Sequence, residues 1–245
     1  MLFSTFLFII TMVLAVICAQ AIGVSNGELP LITLMIPALW MLPKGGISRF
    51  TLLVTLLVYG FTLSSQPAAL SICMWMLFPI CMVAFSRYSN RRVVIICGLI
   101  VVTLLIGVMF MQSDNRIEGT PWITAIQVAS VLIAWWVVRS WKPYYKNYWW
   151  ALGFVVPMIM ADLSIAALVS LSSTGMIATM ENLQRMANFK WGKLLCWGVP
   201  TIAFTAILVN PNTVVSNFVL VVWGCLLATA WLTDYILRSS QEQVE

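Results

Sequence analysis

Histidine is absent from this 245-residue chain, and Asp and Glu together number only 8. The first absence excludes histidine-based catalytic triads and histidine metal sites, and the second leaves no paired carboxylates for acid–base work. An enzyme built from what remains would depend on Ser, Lys or Cys with no base beside it. The expectation is therefore a non-enzyme that needs no cofactor or metal. Charge of either sign is also scarce, at 9% of residues against 62% apolar. An ordinary soluble domain is about a quarter charged and near half apolar. Too few charges remain to form a polar shell, so lipid must cover much of the surface. Within a bilayer only helices and closed barrels satisfy their own backbone groups, and the apolar stretches here are continuous rather than alternating. The fold class is all-α, a polytopic transmembrane helical bundle.

Six cysteines, Cys18, Cys73, Cys81, Cys97, Cys196 and Cys225, fall inside apolar runs without a C-x-x-C pair. Neither a disulfide framework nor a zinc site is indicated, and they read as small buried hydrophobes. The formal charge of +5 is spread through short clusters between apolar runs, so it marks topology and not a nucleic-acid face. Ala19-Gln20-Ala21 has the look of a signal-peptidase site. No Lys or Arg precedes the apolar stretch, which is itself long enough to span about 30 Å of hydrocarbon, so a retained first helix is expected.

Apolar runs place helices near 2–23, 29–43, 50–64, 67–85, 93–111, 121–141, 151–171, 194–209 and 217–237. Residues 1–141 read as three transmembrane hairpins. Residues 142–193 read as an aromatic and basic stretch, a re-entrant or broken helix and an amphipathic helix, and residues 194–245 as a last hairpin with a polar tail. Lys44 with Arg49, Arg87 with Arg91 and Arg92, and Arg139 with Lys142 and Lys146 alternate with nearly neutral loops at Ser25 to Leu29, Ser64 to Gln66 and Gln112 to Thr120. Basic loops belong in the cytoplasm, which puts the N-terminus inside and the neutral loops outside. If 151–171 crosses once, the chain has nine crossings and Arg185, Lys190, Lys193 and Arg238 fall outside, against the charge rule. If it enters and leaves on the same side, eight crossings and a cytoplasmic C-terminus follow, with Arg116 the one basic residue outside. Pro157 and Asp162 interrupt the run, and the eight-crossing form is preferred.

Asp162 is the only acid deep inside an apolar run. With Ser164 and backbone freed near Pro157 it is the candidate ion or proton site, against an alternative in which it merely joins two helices. Arg139, Trp141, Lys142, Tyr144 and Tyr145, continuing through Lys146, Tyr148, Trp149 and Trp150, gather cations and amphipathic rings at the inner interface. An aromatic belt explains them, and contact with anionic lipid or a partner is the sharper reading. Met176, Met180, Leu183 and Trp191 recur at helical spacing, with Arg185, Lys190 and Lys193 among them, which predicts an amphipathic helix lying on the inner leaflet or coupling to a partner. Met74-Trp75-Met76 and Met109-Phe110-Met111 are explained by packing better than by copper.

The function class expected is a small transporter or channel, or the membrane subunit of a transport system, in a bacterial inner membrane. The alternative is a non-catalytic membrane component such as an assembly factor, sensor anchor or lipid- or partner-binding protein. Membrane lipids and a membrane or cytoplasmic protein are the partners expected, and nucleic acid is not. No motif names a substrate.

Overall fold

A computed structural model describes residues 2–25, 28–30, 32–41, 47–139, 149–186 and 197–242. Among the described residues every regular element is helical. In chain order these are α1 (Leu2–Val24), α2 (Ile32–Met41), α3 (Ile47–Thr62), α4 (Ala68–Ala84), α5 (Arg91–Ser113), α6 (Pro121–Arg139), α7 (Trp149–Met160), α8 (Ser164–Gln184), α9 (Val199–Leu208) and α10 (Asn217–Glu242). Phe3–Val24, Arg91–Ser113, Pro121–Arg139 and Asn217–Ser240 are long and apolar enough to cross a membrane, and shorter apolar helices accompany them. Large apolar side chains also cover the outside, Leu99, Phe110, Trp136 and Tyr235 among them. Such a surface is compatible with a membrane protein.

Two helices contain a tighter stretch for one reason. Pro79 and Pro157 have no N–H to give the carbonyl four residues earlier, and each is preceded by a tighter 3-10 stretch, Met74–Met76 in α4 and Trp149–Phe154 in α7. The two weak segments expected at 29–43 and 194–209 are short helices, each carrying a buried proline, Pro37 and Pro200.

The long run at 151–171 is two helices, not one. The Leu163 N–H donates to the Met158 carbonyl at 3.0 Å and the Asp162 N–H to the Ile159 carbonyl at 3.1 Å, while Asp162 adopts φ 57°. This is the Schellman C-terminal motif, with Asp162 where glycine usually stands. The same pattern closes α5, where Asn115 has φ 54° and Arg116 donates to the Met111 carbonyl at 2.9 Å. After the turn α8 runs on to Gln184, because its hydroxyls donate to carbonyls one turn back, Ser172 to Leu168 at 2.7 Å and Thr174 to Ser170 at 2.7 Å.

Register along α1 fixes where that turn lies. Thr11 meets Thr179 at 2.8 Å, Gly175 lies against Leu14, and Cys18 meets Ser172, so α1 and α8 are antiparallel. Small and hydroxyl residues let the two backbones approach, as suits helix pairing in lipid. Asp162 therefore comes level with the end of α1. Trp149 packs edge-on against Trp40 at 5.3 Å, at the far end of α2, so α7 rises along α2 and α8 descends. Met158 and Val155 of α7 share a small core with Ile36 of α2 and Ala166 and Ala167 of α8.

Elsewhere the helices alternate about a larger core centred on α4, α6 and α10, including a stacked Phe204–Trp223 pair at 4.7 Å. Cys97 on Thr233 and Gly107 on Phe218 set α5 and α10 antiparallel. Charge consequently divides between two ends of the bundle. Arg87, Arg91, Arg92, Arg139, Arg185 and Arg238 stand at one end, with Asp234 bonded to Arg238 at 2.8 Å. Glu28, Asp114, Arg116, Glu118 and Asp162 stand at the other.

Candidate functional site

Seven helices, α1 to α4 with α6, α8 and α9, leave a cavity of about 280 Å³ between them. Its wall is open where the sequence supplies small residues, Ala15 and Ala19 of α1, Ala134 of α6 and Ala203 of α9, and it is otherwise lined by Leu52, Leu56, Phe78, Met176 and Ile177. Among the described residues no charged side chain lines it. Two prolines, Pro37 and Pro200, face it and limit how closely α2 and α9 approach.

Beside the cavity, toward the Gln66 end, lies a cluster of neutral polar side chains. Gln127 of α6 accepts from the Gln66 amide and donates to Ser71 Oγ at 3.1 Å and to the Thr62 carbonyl at 3.3 Å. The Thr124 hydroxyl lies 2.8 Å from Gln112 Oε1 and 3.1 Å from Gln66 Oε1. All five side chains, Gln66, Ser71, Gln112, Thr124 and Gln127, are buried. Tyr59 joins the two features, since its ring lines the cavity while its hydroxyl donates to the Ser71 carbonyl at 2.7 Å. Gly119 closes the cluster from above with φ 107°, and a Cβ there would lie 2.9 Å from both Gln112 Nε2 and Gln66 Cβ. Gln112 Nε2 has no partner among the described residues.

No protein-family model, curated protein or solved structure matches the chain. Its chemistry must be read from the residues themselves.

Asp162 and Ser164 lie outside the cavity, exposed at the α7–α8 turn. Sequence position put Asp162 in the middle of an apolar span, and the structure corrects this to a turn at the level of the α1 terminus. Arg139 ends α6 with its guanidinium 5.8 Å from the Trp135 ring, and Trp149 and Trp150 are exposed while packing on Trp40 and Phe154. Trp141, Lys142, Tyr144, Tyr145, Lys146 and Tyr148 lie outside the described residues, as do Lys190, Trp191 and Lys193.

Met176, Met180 and Leu183 are not on a separate amphipathic helix. They belong to the last turns of α8, where Met180 and Leu183 form a core with Leu7 and Met12 of α1. Glu181 is buried, and Arg185 is exposed beyond the helix end. Met74 and Met76 are buried in the main core, whereas Cys225 is exposed and not a buried hydrophobe. Gly23-Val24-Ser25-Asn26-Gly27 has the letters of the G-x-S-x-G pentapeptide. Ser25 nevertheless follows a helix, its hydroxyl bonded to the Ile22 carbonyl at 3.0 Å, and no histidine exists to activate it.

The amide cluster escaped sequence reasoning because Gln66 and Gln112 were assigned to outward-facing loops. The available signal was Gln127, a costly amide inside an otherwise apolar helix that needs a buried partner.

Proposed function

We propose that this chain is a small membrane transporter or the membrane subunit of a transport system, with its cargo held in the central cavity. The observation that carries this reading is an apolar cavity walled by seven helices, with no charged side chain in its lining among the described residues. Transport sites of membrane bundles lie between helices near the bilayer midplane, often beside interrupted ones, and α7 with α8 is such an interrupted element. In the same reading α7 and α8 form a hairpin that starts and ends on the cytoplasmic side of a bacterial inner membrane, as the eight-crossing expectation requires, although its turn reaches the level of the outer end of α1. The segregation of arginines to one end of the bundle supports that orientation. The exposed position of Asp162 at a helix cap disfavours a proton- or ion-binding role for it.

Alternating access supplies the test. Leu56→Cys, in a background lacking the native cysteines, is to be titrated with a membrane-impermeant maleimide in intact cells and inverted vesicles. Labelling from one side, with a rate that changes at least fivefold when the membrane gradient is collapsed or a candidate cargo is added, is expected of a transporter. A rate that stays constant from either side in every condition returns the chain to the class of non-catalytic membrane components.

A further inference from the structure

The cavity wall restricts the chemistry of what can occupy it. Four lining side chains carry polar atoms, Cys18, Tyr59, Trp75 and Ser173, and each is already engaged within the protein. The Tyr59 hydroxyl bonds the Ser71 carbonyl at 2.7 Å and meets the Trp75 indole. Ser173 donates to the Ser170 carbonyl at 3.1 Å, and the Cys18 thiol meets Ser172. A polar group carried into this space would lose its solvent and find no free donor or acceptor among the described lining side chains, which selects against sugars, amino acids and ions.

Shape narrows the class further. Lining residues extend from Leu52 on α3 to Leu63 in the turn that follows it and from Val169 to Met180 on α8, about 16 Å in each case. The volume of about 280 Å³ is roughly twice that of an apolar cavity of about 150 Å³ that holds benzene. Such a volume drawn out along two helices suits a chain better than a ring. Met176 and Met180 give part of the wall an adaptable surface.

We propose that the cavity takes one hydrocarbon chain, the acyl tail of a fatty acid or of a membrane lipid, with the polar head outside the apolar lining. The proposal rests on the transport reading only in treating this cavity as the working site, since occupancy by an acyl chain requires no movement. A tail in the cavity would also restore contacts that the alanines leave unmade.

Photolabelling of the purified full-length protein tests it, with diazirine-bearing palmitate as one probe and a phosphatidylcholine carrying a diazirine-bearing acyl chain as the other. Labelling is expected on Leu56, Met176 or Ile177 above the level at lipid-facing Leu99, and excess unlabelled palmitate should reduce it. The double substitution Ala15→Leu with Ala203→Leu, which fills the cavity, should cut cavity labelling at least tenfold and leave Leu99 labelling unchanged. Should that variant fail to fold by circular dichroism, Ala19→Val is the milder filling change and should cut labelling several-fold. Preference for one probe assigns the tail to a free fatty acid or to a phospholipid. Cavity labelling no higher than at Leu99, or undiminished in a folded filled variant, overturns the proposal. A labelled cavity combined with a constant maleimide rate would keep the acyl site and discard transport.

Discussion

Two polar places in this bundle invite comparison, the turn at Asp162 and the amide cluster around Gln127. In the sequence Asp162 is the conspicuous one, a formal charge amid apolar residues, while three glutamines pass as loop or helix filler. The fold reverses their standing. Asp162 is exposed at a helix terminus, held in the left-handed conformation, and the glutamines are buried, with Gln66 and Gln127 bonded to each other and the cluster completed by Thr124, Ser71 and the Thr62 carbonyl. A carboxylate costs so much to desolvate that the chain breaks its helix and brings it out. Neutral amides can be buried once they are paired.

Substitutions can break this contrast in order of size. Gln127→Leu removes two donated hydrogen bonds and leaves the Gln66 amide only the long contact to Ser71 Oγ at 3.4 Å, so a loss of about 2–3 kcal/mol is expected, visible as a lower unfolding temperature in detergent. A loss below about 0.5 kcal/mol would mean that the amides are replaceable by packing. Next comes Gly119→Ala, which forces a side chain into the left-handed region and against Gln112, at an expected cost of about 1–2 kcal/mol by the same measurement. Smallest are the changes at 162. Asp162→Gly should be neutral or stabilising by a few tenths of a kcal/mol, Asp162→Val should cost about 1 kcal/mol, and Asp162→Asn should leave any transport activity unchanged. An activity loss in the asparagine variant with unaltered stability would restore the carboxylate as a working group and undo the comparison.

Much of the bundle was legible before the structure, and the limits are physical. Continuous apolar runs locate α1, α5, α6 and α10 because lipid-facing and core-facing residues are both apolar, which leaves a strong signal in composition alone. Pro157 and Asp162 betrayed the broken helix, but α8 was cut short at 171 because Ser172, Ser173 and Thr174 lower hydropathy. Their hydroxyls donate to the preceding turn, so they sit within a helix at little cost. Met180 and Leu183 do pack on one side of α8, yet periodicity says only that one face is apolar. It does not distinguish a membrane surface from the flank of α1. The cavity and the amide cluster were out of reach because they are assembled from distant segments. Gln66 and Gln127 stand 61 residues apart, and nothing local to either announces the other.

Single-residue geometry at one corner also governs parity. An odd number of limbs between Arg139 and Arg185 would put these two arginines at opposite faces of the bundle, and the even number created by the left-handed residue at 162 returns them to the same face. Every later reversal inherits that count, so the side on which Arg238 emerges is decided 76 positions upstream, by a pair of backbone hydrogen bonds.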